Sequence, residues 1–371
     1  MNENSEHKSA DGGATAISAR RRRIVDELEC VASILLAIVF ANALGAEMVA
    51  WAAFSAFVLM KGPVTETLLR SCLRMIGTLL GASLAIWFTR LTSGALWEWM
   101  LAAALVGGAG LYGALTARHA YAWLLFGLTF VMIVLDRLEQ PEIDIEALAL
   151  TRVIEVGAGT LAALIVSIAA TLTARRWWPV APSPSPTSPA TRWHPRAARH
   201  CLLAGFAVAL LPLIHHFVEL RELAQAGVTI LAVMILPPAH LSAGSLDPAS
   251  RRLQQRALGC LCGSLLAAGV LFLARGSVPI LVAGTCLGVM IGRHIENGSA
   301  RNAYLGLQFT LAVLVVLVPD DYATAAIGPG LERLVSVFVG MAVLAPVLVV
   351  SHFSARRRSS AGSDDGGALS E

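Results

Sequence analysis

About twelve long apolar runs fill this chain, and that spacing of hydrophobic residues constrains its fold more than any motif. In the first half they are Cys30 to Leu44, Met48 to Met60, Met75 to Leu91, Met100 to Leu115, Tyr121 to Leu135 and Val153 to Leu172. In the second they are Cys201 to Val218, Ala224 to Leu241, Ala257 to Ala274, Val278 to Ile291, Ala303 to Val318 and Leu331 to His352. Runs of this length need a solvent that covers apolar surface on every side, and lipid is that solvent. Only 14% of the residues are charged and mean hydropathy is +0.68, which excludes a secreted enzyme, a nucleic-acid binder or a disordered scaffold. Twelve spans leave short loops with no room for a folded soluble domain. The expected class is an all-α integral membrane protein of about twelve transmembrane helices, arranged as two parallel six-helix repeats.

The few charges are segregated. With the amino terminus inside, 22 of the 28 basic residues fall on the inner side, and Arg90, Arg137, Arg152, Arg221, Arg275 and Arg333 lie outside with Glu139, Glu142, Asp144, Glu146, Asp320 and Asp321. That bias predicts a multi-pass membrane protein of twelve spans with both termini cytoplasmic. Trp97, Trp99, Trp177 and Trp178 sit where an aromatic belt anchors span ends. Residues 1–29 form a basic tail with no cleavage signature, so the first span reads as an uncleaved anchor. The expected organisation is a tail over 1–29, a first six-helix repeat over 30–174, a linker over 175–199, a second repeat over 200–353 and a tail over 354–371. Pro179 to Pro195 is rich in proline and serine and reads as an extended linker.

The two halves repeat. Arg70, Arg74, Gly77 and Gly81 recur 182 positions later as Arg252, Arg256, Gly259 and Gly263. Arg118-His119-Ala120-Tyr121 recurs 183 later as Arg301-Asn302-Ala303-Tyr304, and Arg152 and Gly159 recur 181 later as Arg333 and Gly340. Three matches at nearly one offset point to tandem duplication. An even number of spans per half makes the repeats parallel, related by an axis along the membrane normal.

The stretch WAAFSAFVLMKGPVTETLLRSCLRMIGTLLGASLA, followed by GLYGALTARHAYAWLLFGLTF and TRVIEVGAGTLAALIVS, resembles the membrane half of the fusaric acid resistance and aromatic acid exporter family. RALGCLCGSLLAAG and RNAYLGLQF carry a fainter resemblance in the second half, so the similarity runs from about Cys30 to Val350. It implies an inner-membrane efflux component for aromatic or other organic acids, often working with a periplasmic adaptor protein. Many relatives carry large cytosolic domains, in place of which this chain has a Pro/Ser linker and a short tail. The plant aluminium-activated malate channels are similar in having six-span anion-conducting subunits.

The repeated arginines are the candidate site. Arg74 and Arg256 read either as snorkelling anchors or as guanidinium groups that hold a carboxylate bidentately. Arg118 with Tyr121, and Arg301 with Tyr304, place a cation and a phenol three residues apart, fitted to an aromatic acid or to interfacial anchoring. Arg152 and Arg333 stand on the outer side against the charge bias, each beside an acid, Glu155 and Glu332, and a charge near a span faces a cavity or a partner. Glu155 is the candidate proton-coupling carboxylate. Gly77-xxx-Gly81 and Gly259-xxx-Gly263 read as close helix packing. His215, His216 and Glu219 have no further ligand at metal-site spacing, and the six cysteines lack a CxxC, so no metal is expected. No Walker A loop, G-x-S-x-G, HExxH or dinucleotide fingerprint occurs, so no cofactor and no enzymatic activity are expected. Three functions remain: a proton-driven organic-acid exporter, a passive anion channel and a non-transporting scaffold.

Overall fold

Glycine and proline punctuation sets the lengths of the helices. Gly45 adopts a left-handed φ of +69° and closes the first helix, and Gly62 (φ +110°) with Pro63 ends the second after only eleven residues. The computed structural model describes residues 3–179, 193–236, 247–320 and 327–364, in which every regular element is helical. The helices are α1 (Glu3–Ala43), α2 (Val49–Leu59), α3 (Val64–Leu91), α4 (Leu96–Thr116), α5 (Ala120–Glu139), α6 (Ile145–Leu172), α7 (Pro195–Phe217), α8 (Leu223–Val233), α9 (Asp247–Ala274), α10 (Val278–Gly298), α11 (Ala303–Leu317) and α12 (Ile327–Asp364). A 3-10 turn over Ala174–Arg176 follows α6. Residues 180–192, most of the expected linker, lie outside the described residues, as do Asp321 and residues 365–371 of the tail.

Among the described residues, eight helices are long and apolar enough to cross a membrane: α3 to α7, α9, α10 and Gly330–Ser351 of α12. The runs Met48 to Met60 and Ala224 to Leu241 differ from expectation. They yield α2 and α8, each of eleven residues and about 16 Å long, roughly half of a 30 Å hydrocarbon layer. The physical reason is local: α2 stops at the Gly62-Pro63 pair, and α8 ends just ahead of Pro237 and Pro238 in the sequence. α11, with 15 residues, is also short.

The chain packs as two compact units that do not follow the sequence halves. The first takes Met1–Cys72, Ile154–Pro186 and Leu258–Ile327; the second takes Leu73–Val153, Thr187–Ala257 and Gly328–Glu371. Within the first, α1 packs on α2 and α10, α10 on α11, and α2 on α11. Within the second, α7 packs on α8 and α4, α4 on α5, and α8 on α5. The two lists are one list: shifting α1, α2, α10 and α11 by half the chain gives α7, α8, α4 and α5. A core of Leu111, Phe130, Leu135, Leu211, Ile230 and Leu231, among others, fills the second unit.

Close approach needs glycine at matched places. A Cβ added at Gly159 on α6 would collide with the Ala52 carbonyl oxygen and lie 2.5 Å from Ser55 Cβ. One added at Gly340 on α12 would lie 2.6 Å from the Ala226 carbonyl oxygen and 3.0 Å from Thr229 Cβ. So α6 lies against α2 in the first unit, and α12 against α8 in the second, backbone on backbone.

Candidate functional site

Four arginines are buried in the second unit, each on a helix of spanning length. Arg74, Arg152, Arg256 and Arg333 are 8%, 6%, 4% and 4% exposed. Such burial excludes snorkelling for Arg74 and Arg256, because a snorkelling side chain keeps its charged head at the water surface. A buried guanidinium in a span is costly and needs polar partners. Arg74 Nη1 donates to the Tyr121 hydroxyl at 2.9 Å, and Arg256 Nη2 donates to Thr229 Oγ1 at 2.8 Å. Arg152 Nη2 donates to Asp136 Oδ2 at 2.7 Å, and Arg333 Nε to Glu222 Oε1 at 3.1 Å.

All four partners lie on α5 or at α8, and these two helices pack against each other. They run antiparallel: Glu139 at the end of α5 meets the start of α8, while Leu135 and Val131 face Gly227. Glu139 is a carboxylate on a helix amino terminus, accepting from the Glu222 amide at 2.8 Å and the Leu223 amide at 2.9 Å. Glu222 itself holds a left-handed φ of +57°, which costs a non-glycine residue about 1 to 2 kcal/mol. Arg333 on its carboxylate and Ser336 Oγ, which donates to its carbonyl at 2.6 Å, hold it there.

The other short helix is built alike. The Met48 amide at the start of α2 donates to Oε1 of the fully buried Glu155 at 3.1 Å. At the opposite ends, Arg293 Nη2 donates to the Met60 carbonyl at 2.5 Å, His200 Nε2 to the Met234 carbonyl at 2.8 Å, and Arg252 to the Ile235 carbonyl. α2 and α8 thus each begin on a carboxylate and end on a cationic or imidazole donor, the arrangement a helix dipole favours.

Three expected pairings come out differently. Arg118 and Arg301 are exposed and precede their helices, since α5 starts at Ala120 and α11 at Ala303. Neither arginine therefore shares a helix face with its tyrosine, and Tyr121 is engaged by Arg74 instead. Glu332 is half-buried and pairs with Arg221 at 3.4 Å, whereas Arg333 turns inward to Glu222. Tyr304, half-buried, is the second residue of α11 in the first unit.

Sequence reasoning missed Asp136, Glu222 and Thr229. Asp136 falls one residue past the run Tyr121 to Leu135 and looks like the first loop residue, but α5 continues to Glu139. It also missed an ion network in the first unit. Arg293, 4% exposed, donates to Asp26 (2.7 and 3.2 Å) and Glu296 (3.0 Å). Arg175 holds Glu29 (2.5 and 3.0 Å) and Asp26 (3.4 Å), and Lys61 pairs with Glu296 at 2.7 Å. His294 meets Glu27 at 2.8 Å, and Asn297 donates to Asp26 at 2.7 Å.

Asp26 precedes the first apolar run. Burial opposes its charge, but Arg293, Asn297 and Arg175 prevail and hold its carboxyl below the usual aspartate range. A depressed folded-state pKa contributes stability at neutral pH that is lost as pH falls through it. Asp26→Asn is therefore expected to destabilise the protein by about 3 kcal/mol at pH 7, the cost of leaving buried arginines short of a partner. Thermal unfolding in detergent checks this: the gap between variant and wild type narrows as pH drops from 5 toward about 3.

No curated protein and no solved structure matches the chain. A family described as fusaric acid resistance protein-like matches residues 36–166 and 203–347, one segment in each half. With that match over most of its length and with its apolar helices, the chain is a multi-pass membrane protein that belongs to the fusaric acid resistance protein-like family.

Proposed function

We propose that this protein exports organic acids, aromatic carboxylic acids first among them, across the bacterial inner membrane in exchange for protons. The observation that carries this reading is the set of four arginines buried in spanning helices around α5 and α8. A planar guanidinium that is charged at every physiological pH suits a carboxylate, and the Arg74–Tyr121 pair sets a phenol ring beside the cation for an aromatic acid. Arg74 and Arg256 form the inner set, Arg118 and Arg301 with Tyr304 a flanking set, and Arg152 and Arg333 the outer exit. Glu155 is the proton-coupling group, supported by its complete burial on the amino end of α2.

In the same reading the chain is a tandem duplication of two parallel six-segment repeats, twelve membrane segments in all, with α2 and α8 as broken segments and both termini in the cytoplasm. The matched contacts of Gly159 and Gly340, and of α1–α10 and α7–α4, support it. A periplasmic adaptor would carry the substrate onward. The test is transport of radiolabelled fusaric acid into everted membrane vesicles energised by respiration. Accumulation above the outside concentration, collapsing when a protonophore is added, is expected. Equilibration that stops at equal concentrations and ignores the protonophore identifies a passive anion channel instead.

A further inference from the structure

Four consecutive arginines, Arg20 to Arg23, lie on α1 just ahead of its first apolar turn, and all four are exposed. None of them has a hydrogen bond or ion pair among the described residues. The acids that follow them do not neutralise them. Asp26 is held by Arg293 and Asn297, Glu27 by His294, and Glu29 by Arg175. Nor does the fold demand arginines at this place. Ala52 and Ala226, 174 residues apart, make the matched glycine contacts, and the same shift carries the end of α1 at Ala43 to the end of α7 at Phe217. On that shift Arg20 to Arg23 fall on His194, Pro195, Arg196 and Ala197, with a single arginine among them.

The depth of these arginines along α1 sets what surrounds them. Ile24, Leu28 and Val39 are exposed on one face of α1, while Ile34 and Ala37 are buried on the other. An apolar face left exposed by a membrane protein is met by lipid tails. From Ile24 to Ala43 is about 28 Å of helix rise, close to the roughly 30 Å of a hydrocarbon layer. Arg20 to Arg23 extend about 6 Å further and so lie at the depth of the lipid headgroups. A second element reaches the same depth. Arg175 bonds Glu29 and Asp26 of α1, and the two residues after it, Arg176 and Trp177, are exposed, Trp177 by 77%. Tryptophan is enriched at this interface, where its ring meets both tails and headgroups.

We propose that Arg20 to Arg23, with Arg176, bind the phosphates of anionic phospholipids in the leaflet around the amino end of α1. A guanidinium fork matches two phosphate oxygens and stays charged at every physiological pH. Basic clusters at the edge of a membrane helix draw anionic lipid from the leaflet. Four successive residues point around the helix axis at steps of about 100°, so one flat protein surface meets only part of the set, whereas headgroups crowd a helix from every exposed side. Free inorganic phosphate carries the charge but has no tails to cover Ile24, Leu28 and Trp177. The bound lipid joins α1 to the turn after α6 at the level of Asp26 and Glu29, and so reinforces the ion network that Arg175 closes. Binding of this kind is independent of what the protein transports.

The experiment titrates the purified full chain in detergent with phosphatidylglycerol, phosphatidylcholine or inorganic phosphate, and reads thermal unfolding and the lipid retained in native mass spectra. Phosphatidylglycerol is expected to raise the unfolding temperature by binding the folded state, and the other two are not. Arg20→Gln, Arg21→Gln, Arg22→Gln and Arg23→Gln made together are expected to weaken phosphatidylglycerol binding about tenfold or more, and Arg176→Gln by a smaller factor. Lysine at the same four positions keeps the charge that orients α1 on insertion and is expected to bind within about threefold of wild type. Arg196→Gln with Arg251→Gln removes two exposed charges elsewhere and is expected to leave binding unchanged. In wild type, raising sodium chloride from about 0.1 to about 1 M shortens the screening length from about 10 to about 3 Å and is expected to release most of the lipid. Equal protection by phosphatidylcholine or by inorganic phosphate overturns the proposal, as does an equal loss of binding in the Arg196/Arg251 control. Wild-type affinity in the fourfold glutamine variant overturns it too. Should that variant fail to insert, phosphatidylglycerol binding to wild type that ignores salt does the same.

Discussion

Replacing Arg74 and Arg256 together with glutamine is expected to reduce export of fusaric acid at least about a hundredfold, at unchanged protein level in the membrane. Hydrogen bonds to a charged group contribute about 1.5 to 3 kcal/mol each. Two of them, at a factor of ten per 1.4 kcal/mol, set that lower bound. Glutamine keeps a donor for Tyr121 and for Thr229, which Arg74 Nη1 and Arg256 Nη2 bond in the structure. What it removes is the charge and the planar fork. Arg→Lys at both positions is the sharper version: lysine restores charge without the fork and is expected to recover less than a tenth of wild-type export. Initial rates in everted vesicles, normalised to protein detected by immunoblot, decide the matter. Wild-type rates in the double glutamine variant would return these arginines to a structural role.

Gly159→Ala and Gly340→Ala are each expected to cost most of the folded protein. Alanine in a helix interior is intrinsically better than glycine by about 1 kcal/mol, so an unhindered site gains stability. Here the added methyl meets main-chain carbonyl oxygen, of Ala52 in one case and of Ala226 in the other, and a packed backbone cannot step aside as a side chain does. Overpacking of this kind costs about 1 to 3 kcal/mol and more when backbone must shift, so the collision outweighs the propensity. Gly269→Ala on α9, with nothing within 4 Å of the added carbon, is the control and is expected to stabilise slightly. Fluorescence-detected size exclusion after graded heating measures all three. Tolerance of alanine at Gly159 alone would show that the two contacts are not equivalent.

The sequence makes the helices legible because apolar periodicity and Gly/Pro breaks are local signals. Gly62-Pro63 and Pro237-Pro238 explain why α2 and α8 are short, and both pairs are visible in the letters. Repetition isolates Arg74, Arg256, Arg152 and Arg333 from 28 basic residues. Their partners are not legible. Asp136 looks like a loop acid, Glu222 follows an arginine in a connection, and Asp26 and Arg293 stand 267 residues apart. Which helices pair is a property of three-dimensional packing, and a pattern within one segment carries no information about it.

The interleaving of the two halves has a consequence for how the molecule is made. α1 packs on α10, α2 on α11, α4 on α7 and α5 on α8. When the ribosome has finished the first half, α1, α2, α4 and α5 are synthesised but each still lacks a neighbour that has yet to be translated. Neither compact unit can close until the second half arrives, so assembly is a late step, completed after insertion and not during it. A gene cut in the linker should give two fragments that are each degraded alone and rescued only when both are expressed in one cell.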